Sequence, residues 1–483
     1  MRTYRLAALP IHLNPWLRAC MQEGATLARL IYDTVYTTPP GVILIGLGCM
    51  ALVASNALPN WFALPRRTDP LVASLVFASL LLAFVCFIVG LRQQYPLWMT
   101  RITRWLAAPV LLWALLMSAQ TFTLLSKALV MTATQSPPQY DGDEMYYNHY
   151  SALLTLRGEN PYTGDQRLAQ AMAYFRIRGY TPIARGRFSD PKHTPTSAEL
   201  HAVLNAYLVD PHSPPPEIAP ATFHSYPAGA FLVDVPSVWA GLPGIGFAQL
   251  LLFLALVLTL MALAPPQLRA TLTLLCFCNP EAVRRIATGD FDIWWIALLA
   301  GVWLARDRRI LATSLLGAAC TIKQTAWFAA PFYLVWVWRR HGFVEAARRA
   351  GIAIGAFLAI NLPWMILSPR EWFASLFLPV SLPLLPDGSG IIGLAIAGVT
   401  PLLSARAYAV VEIGLWLLAL AWYWRYAQRA PFVCLVLTLL PLLAAWRSPE
   451  RYFLPLSLLA LIALVGTVGR PYAAIMPPGP DAA

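Results

Sequence analysis

Two short stretches of this chain concentrate residues that could do acid–base chemistry. "YDGDEMYYNHY" places Asp141, Asp143 and Glu144 within four positions, and "NPEAVRRIATGDFDIWW" holds Glu281, Asp290 and Asp292. Each stretch borders an apolar run. Basic residues fall at similar borders: Arg284, Arg285, Lys323, Arg447 and Arg451. Ionisable groups at membrane depth are costly and are functional suspects by default. A carboxylate beside cations suits one kind of reaction. The carboxylate takes a proton from a hydroxyl, and the cations hold the phosphate of a departing group. Plainer readings stand beside this one. Asp143 and Glu144 suit the cap and first turn of a helix. Asp290 and Asp292 suit a cap, Lys323 a snorkelling anchor, and Arg451 a salt bridge with Glu450. The seven His form no H-x-x-x-H pair, so no cofactor and no metal is expected. A divalent cation on the acids stays open as an alternative.

These residues need a scaffold, and composition says which kind. Of the 483 residues, 58% are apolar and 12% are charged. Soluble domains carry about 25% charged residues. So few charges exclude a string of soluble domains, a disordered chain and a disulfide framework. The expected fold is an all-α polytopic membrane protein. Apolar runs predict about twelve transmembrane helices, near 41–58, 71–91, 106–129, 245–264, 267–283, 291–305, 310–323, 326–338, 349–367, 407–424, 431–446 and 452–469. Segments 226–242 and 391–404 are short or interrupted by Pro and are expected to lie at the surface. Residues 14–36 predict an amphipathic helix on the membrane.

The net charge of +12 reads as topology. The N-terminus, 92–104, 265–270, 306–309, 339–349, 425–430 and the C-terminus together hold 18 Arg against 5 acidic residues. The positive-inside rule places these segments and both termini in the cytoplasm. A nucleic-acid partner is not expected. The large polar segment 131–244 and both acidic stretches then face outward. Sugar nucleotides are cytosolic, so a transferase working there needs a donor already attached to a membrane lipid.

Five motifs in order resemble the GT-C superfamily of polyprenyl-phosphate-sugar-dependent membrane glycosyltransferases. "DGDEMYYNHYSALLTLRGENPY" is similar to the first-loop signature, with Asp143, Glu144, Tyr147, Gly158, Pro161 and Tyr162. "HSYPAGAFLVDVP" resembles a juxtamembrane Y-P-P helix, with Ala228 in place of the second Pro. "NPEAVRRIATGDFD" looks like N-P…G-H-x-D, with Asp290 where His is common and Asp292 at the acid. "AACTIKQTAWFAAP" supplies Lys323, and "SPERYFLPL" supplies Glu450, Arg451 and Tyr452. The resemblance implies a GT-C-like bundle over 105–470. It adds a cytoplasmic segment at 1–40, two extra helices at 41–104 and a tail at 471–483.

It also implies a reaction. A first-loop Asp acts as general base on an acceptor hydroxyl, in an inverting transfer of a sugar of mannosyl type. Asp143 matches the base, with Asp141 as the alternative and Glu144 beside them. Tyr147, Tyr162, Asp290, Asp292, Lys323, Arg447 and Arg451 are the expected substrate-binding residues. The implied partners are a polyprenyl-phosphate sugar, a lipid or glycan acceptor and membrane lipids. The expected location is a prokaryotic plasma membrane. Two other classes remain open: a transporter or flippase of lipid-linked glycans, for which Glu412 is the one mid-span candidate, and a non-catalytic envelope-assembly protein.

Overall fold

The computed structural model describes residues 38–61, 69–136, 138, 140, 142–164, 167–176, 180–190, 195–210, 212–218 and 224–468. Asp141, the amphipathic segment 14–36 and the C-terminal tail lie outside the described residues. The described chain is predominantly helical, with one two-residue strand pair. Seven helices are long and apolar enough to cross a membrane, or eight if one sharply bent pair counts as a span. The protein is an integral membrane protein by this measure.

Local sequence explains where the long helices start and stop. Asp69 caps Pro70–Gly90 by accepting the Val72 N–H at 2.9 Å, and Pro70 suits the first turn. The third helix, Leu97–Thr134, has 38 residues and exceeds the predicted 106–129 at both ends. At 1.5 Å per residue it runs about 57 Å, far beyond a hydrocarbon core of about 30 Å. Its C-terminal end leads into the acidic stretch that starts Asp143–Leu156.

Five of the expected spans are too short to cross alone. Residues 267–283 become Arg269–Phe277 and a separate helix, Pro280–Ala287. Asn279 caps the second of these through Ala282 N–H, and Pro280 cannot continue the first. The chain then turns at Gly289, whose φ of 101° a side chain would strain. It resumes as Asp292–Leu304, bent 110° from its predecessor. Arg309–Cys320 has 12 residues and Ala329–His341 has 13. The run 431–446 breaks into short α and 3₁₀ turns around Pro431 and Pro441. Apolar content predicted these segments, and Pro, Asn and Gly set lengths that composition does not show. Segments 226–242 and 391–404 hold only short helices, Gly229–Leu232 and Val235–Trp239 in the first and the six-residue Ile391–Ile396 in the second.

Polar groups collect at opposite ends of the helices. At one end the segments 306–309, 339–349 and 425–430 meet: Arg349 donates to the Arg306 carbonyl at 2.8 Å, and Gln428 to that of Arg339 at 2.6 Å. At the other end lie the start of Asp292–Leu304 and the end of Arg309–Cys320, with the large loop over them. The loop has its own core of Tyr140, Met145, Tyr146, Phe175, Phe188 and Leu204. Backbone bridges tie Pro182 to Ile218 and Ile183 to Leu384, while Asp387–Gly388 pairs in parallel with Arg447–Ser448. Residues 182–183, with Ile218 bridged to them, are thereby fastened to the last third of the chain. The six described cysteines are all free thiols; Cys20 lies outside the described residues.

Candidate functional site

The helix Asp143–Leu156 starts directly after Gly142. Neighbouring helical residues point about 100° apart, and the two acids separate accordingly. Asp143 is half-buried. Its Oδ2 accepts the Thr181 N–H at 2.9 Å, and its Oδ1 accepts the Glu144 N–H at 3.0 Å. The loop fastened at residues 182–183 thus fixes the Asp143 carboxylate.

Glu144 turns inward and is 4% exposed. Its Oε1 lies 3.3 Å from Arg451 Nη1, and its Oε2 lies 3.8 Å from Lys323 Nζ. Tyr226 Oη donates to Oε2 at 2.9 Å. Burial opposes ionisation here, but Arg451, Lys323 and the Tyr226 hydrogen bond outweigh it and hold the carboxyl at about 2.

Lys323 follows Arg309–Cys320 in extended backbone and is itself buried. Its Nζ is 2.8 Å from Asp292 Oδ1. It also sits over the Phe291 ring at 4.9 Å and the Tyr452 ring at 5.4 Å. The same Asp292 oxygen also accepts from Trp295 Nε1 at 2.8 Å. Asp290 Oδ1 accepts the Asp292 N–H at 3.0 Å, while Phe291 occupies the cap position of Asp292–Leu304. Gln324 donates to the Ser225 carbonyl at 2.8 Å, pinning the Lys323 segment to the one that carries Tyr226.

Asp143, Glu144, Asp290, Asp292, Lys323 and Arg451 therefore meet at one place, although they span more than 300 residues of sequence. Three expected binding residues stand elsewhere or act from behind. Arg447 donates to the Leu385 carbonyl at 2.8 Å and faces Asp387 at 3.7 Å, so it holds the strand pair. Tyr162 is fully buried and donates to the Tyr226 carbonyl at 2.8 Å, so it positions Tyr226. Tyr147 is half-buried, with its ring 6.1 Å from that of His224. Arg284 and Arg285 both pair with Glu281, at 2.7 and 3.0 Å.

Two histidines of the large polar segment are buried. His149 bonds Tyr140, and His224 meets Ser151 at 3.2 Å. Burial pushes their pKa values down to about 4 and about 3. Among the described residues no group of three or more His, Cys, Asp or Glu is placed to hold a metal ion.

Tyr226, Phe291 and Trp295 complete the site but were not among the expected residues. Tyr226 stood inside the "HSYPAG" motif, which was the available signal. Two predictions arise here. Tyr226→Phe removes one hydrogen bond to a buried carboxylate and should cost about 1.5–3 kcal/mol, read as lowered thermal stability in detergent. The second concerns acid. Glu144 has a folded pKa near 2 against an ordinary 4.5. Its stabilisation is full above the unfolded value and drains as pH falls from there toward the folded one. Wild type should lose stability across that window, and Glu144→Gln should lack that component. Equal acid profiles for the two proteins would remove Glu144 from the account.

Comparison of the chain with protein-family models, curated proteins and solved structures finds no match.

Proposed function

We propose that the protein is an inverting glycosyltransferase of the GT-C type. It moves a sugar, mannose in the first instance, from a polyprenyl-phosphate donor to a lipid or glycan hydroxyl at the extracytoplasmic membrane face. The observation that supports this reading most is the convergence of Asp143, Glu144, Asp292, Lys323 and Arg451, each from a different motif except the first two. In this reading the full GT-C-like bundle of about twelve spans counts the short helices as partial crossings.

The chemistry divides among these groups. Asp143 takes the acceptor proton while the acceptor oxygen bonds to the anomeric carbon from the face opposite the phosphate. The bond from that carbon to the phosphate oxygen breaks, and its electron pair leaves with polyprenyl phosphate. Arg451 is the cation for that phosphate. Its Nε is buried without a hydrogen-bond acceptor among the described residues, and its Nη1 is already drawn to the site by Glu144. Lys323 is committed to Asp292 and Glu144, so its part is to hold the acids in place. No step needs a metal, and Asp141 remains the alternative base.

The test uses purified protein with radiolabelled polyprenyl-phosphate-mannose and acceptor membranes from cells lacking the protein. Label should appear in a new product together with released polyprenyl phosphate. Polyprenyl-phosphate carriers of other sugars form the second arm. Release from none of them would sink the proposal.

A further inference from the structure

A second polar assembly lies apart from the Lys323 cluster. Asn148, Asp234 and Gln249 are each 0% exposed. Asn148 is on the helix Asp143–Leu156, one turn beyond Glu144. Asp234 stands at the break between the short helices Gly229–Leu232 and Val235–Trp239. Gln249 lies in the first turn of Gly246–Leu263. All six side-chain polar atoms of these residues lack a hydrogen-bond partner of normal geometry among the described residues.

Several contacts bring the three elements together. Val235–Trp239 packs along Asp143–Leu156. Burial pushes the Asp234 carboxyl well above its usual range, and Gln249 is close enough to oppose that shift in part. Asp234 also bears electrostatically on the Tyr140 hydroxyl. That hydroxyl accepts the Ile245 N–H at 3.4 Å and bonds His149, the neighbour of Asn148. Tyr140 thus stands between the helix of Asn148 and that of Gln249.

Orphaned buried polar atoms are rare and call for a partner. Leaving one unsatisfied costs about 1–3 kcal/mol, so six together would rival the stability of a whole domain. No basic side chain forms a salt bridge with Asp234 among the described residues. The orphans include four oxygens, two from the carboxylate and one from each amide. Those four oxygens, with the single charge of an ionised Asp234, match a hard cation of low charge, whose own charge would offset the burial that disfavours the carboxylate.

We propose that Asp234, Asn148 and Gln249 bind a monovalent hard cation, sodium by charge balance, that ties the large loop to the membrane helices. This site stands independently of the glycosyltransferase reading.

The test is equilibrium binding of ²²Na⁺ to the full chain in nanodiscs. Thermal melts in sodium chloride and in N-methyl-D-glucamine chloride at equal ionic strength accompany it. Wild type should bind one equivalent saturably and melt higher in sodium. Asp234→Asn and Gln249→Leu should weaken binding by about 100-fold or more, beyond the ~10–100-fold typical of outer-shell losses. Glu412→Gln should bind as wild type does. Should the variants fail to fold, the wild-type melts and competition by unlabelled Na⁺, K⁺ and Ca²⁺ decide alone. Absence of saturable sodium binding, with equal melts in both salts, would overturn the site and leave ordered water as the partner. Binding that survives in both variants would also overturn it.

Discussion

Lys323→Met should destabilise the protein by about 3–5 kcal/mol, the cost of leaving a buried charge without its partner. Lys323 Nζ lies 2.8 Å from Asp292 and 3.8 Å from Glu144. Removing it strands the two acids unequally. Glu144 keeps Arg451 and Tyr226, whereas Asp292 keeps only the Trp295 indole and stays almost fully buried. The damage should therefore track Asp292. Asp292→Asn in the Lys323→Met background removes the stranded charge and should restore part of the loss. A double-mutant cycle on detergent-solubilised protein measures this coupling. Additive effects of the two substitutions would mean that the pair does not interact.

Asp143→Asn should reduce transfer by about 10²–10⁴-fold, the usual contribution of general-base catalysis. The fold should survive. Asn keeps one oxygen to accept the Thr181 N–H, and Asp143 takes no part in the buried ion pairs. The variant should melt close to wild type while losing turnover. That pattern separates it from Lys323→Met, where stability falls first. Asp141→Asn should retain transfer. Loss in Asp141→Asn alone would move the base by two residues and leave the mechanism standing.

The sequence already carried the membrane class, because no other fold tolerates so few charges. It also carried the lack of a long helix in 226–242 and 391–404, since Pro and length argue against one there. Span lengths were less legible. Hydropathy registers apolar content, while Asn279, Pro280, Gly289 and Pro431 set where helices end. Within the site, Glu144 and Asp143 are adjacent in sequence and equal in composition, yet only geometry separates an inward counterion from a half-buried carboxylate. Arg447 illustrates the opposite failure. It lies four residues from Arg451 in one polar stretch, but a strand pair takes it away to Asp387. Tyr162 stood in a motif and proved to act through Tyr226, a relation that needs the fold to bring residues 64 positions apart into contact.

The most direct measurement compares wild type and Asp143→Asn in transfer from a labelled polyprenyl-phosphate sugar, with melting curves recorded on the same preparations. The account predicts acceptor-dependent release of polyprenyl phosphate by wild type, and its near-abolition in a variant that melts normally. Equal transfer by a folded Asp143→Asn and by a folded Asp141→Asn would contradict the assignment of the base. No release by wild type from any polyprenyl-phosphate sugar would contradict the enzyme itself.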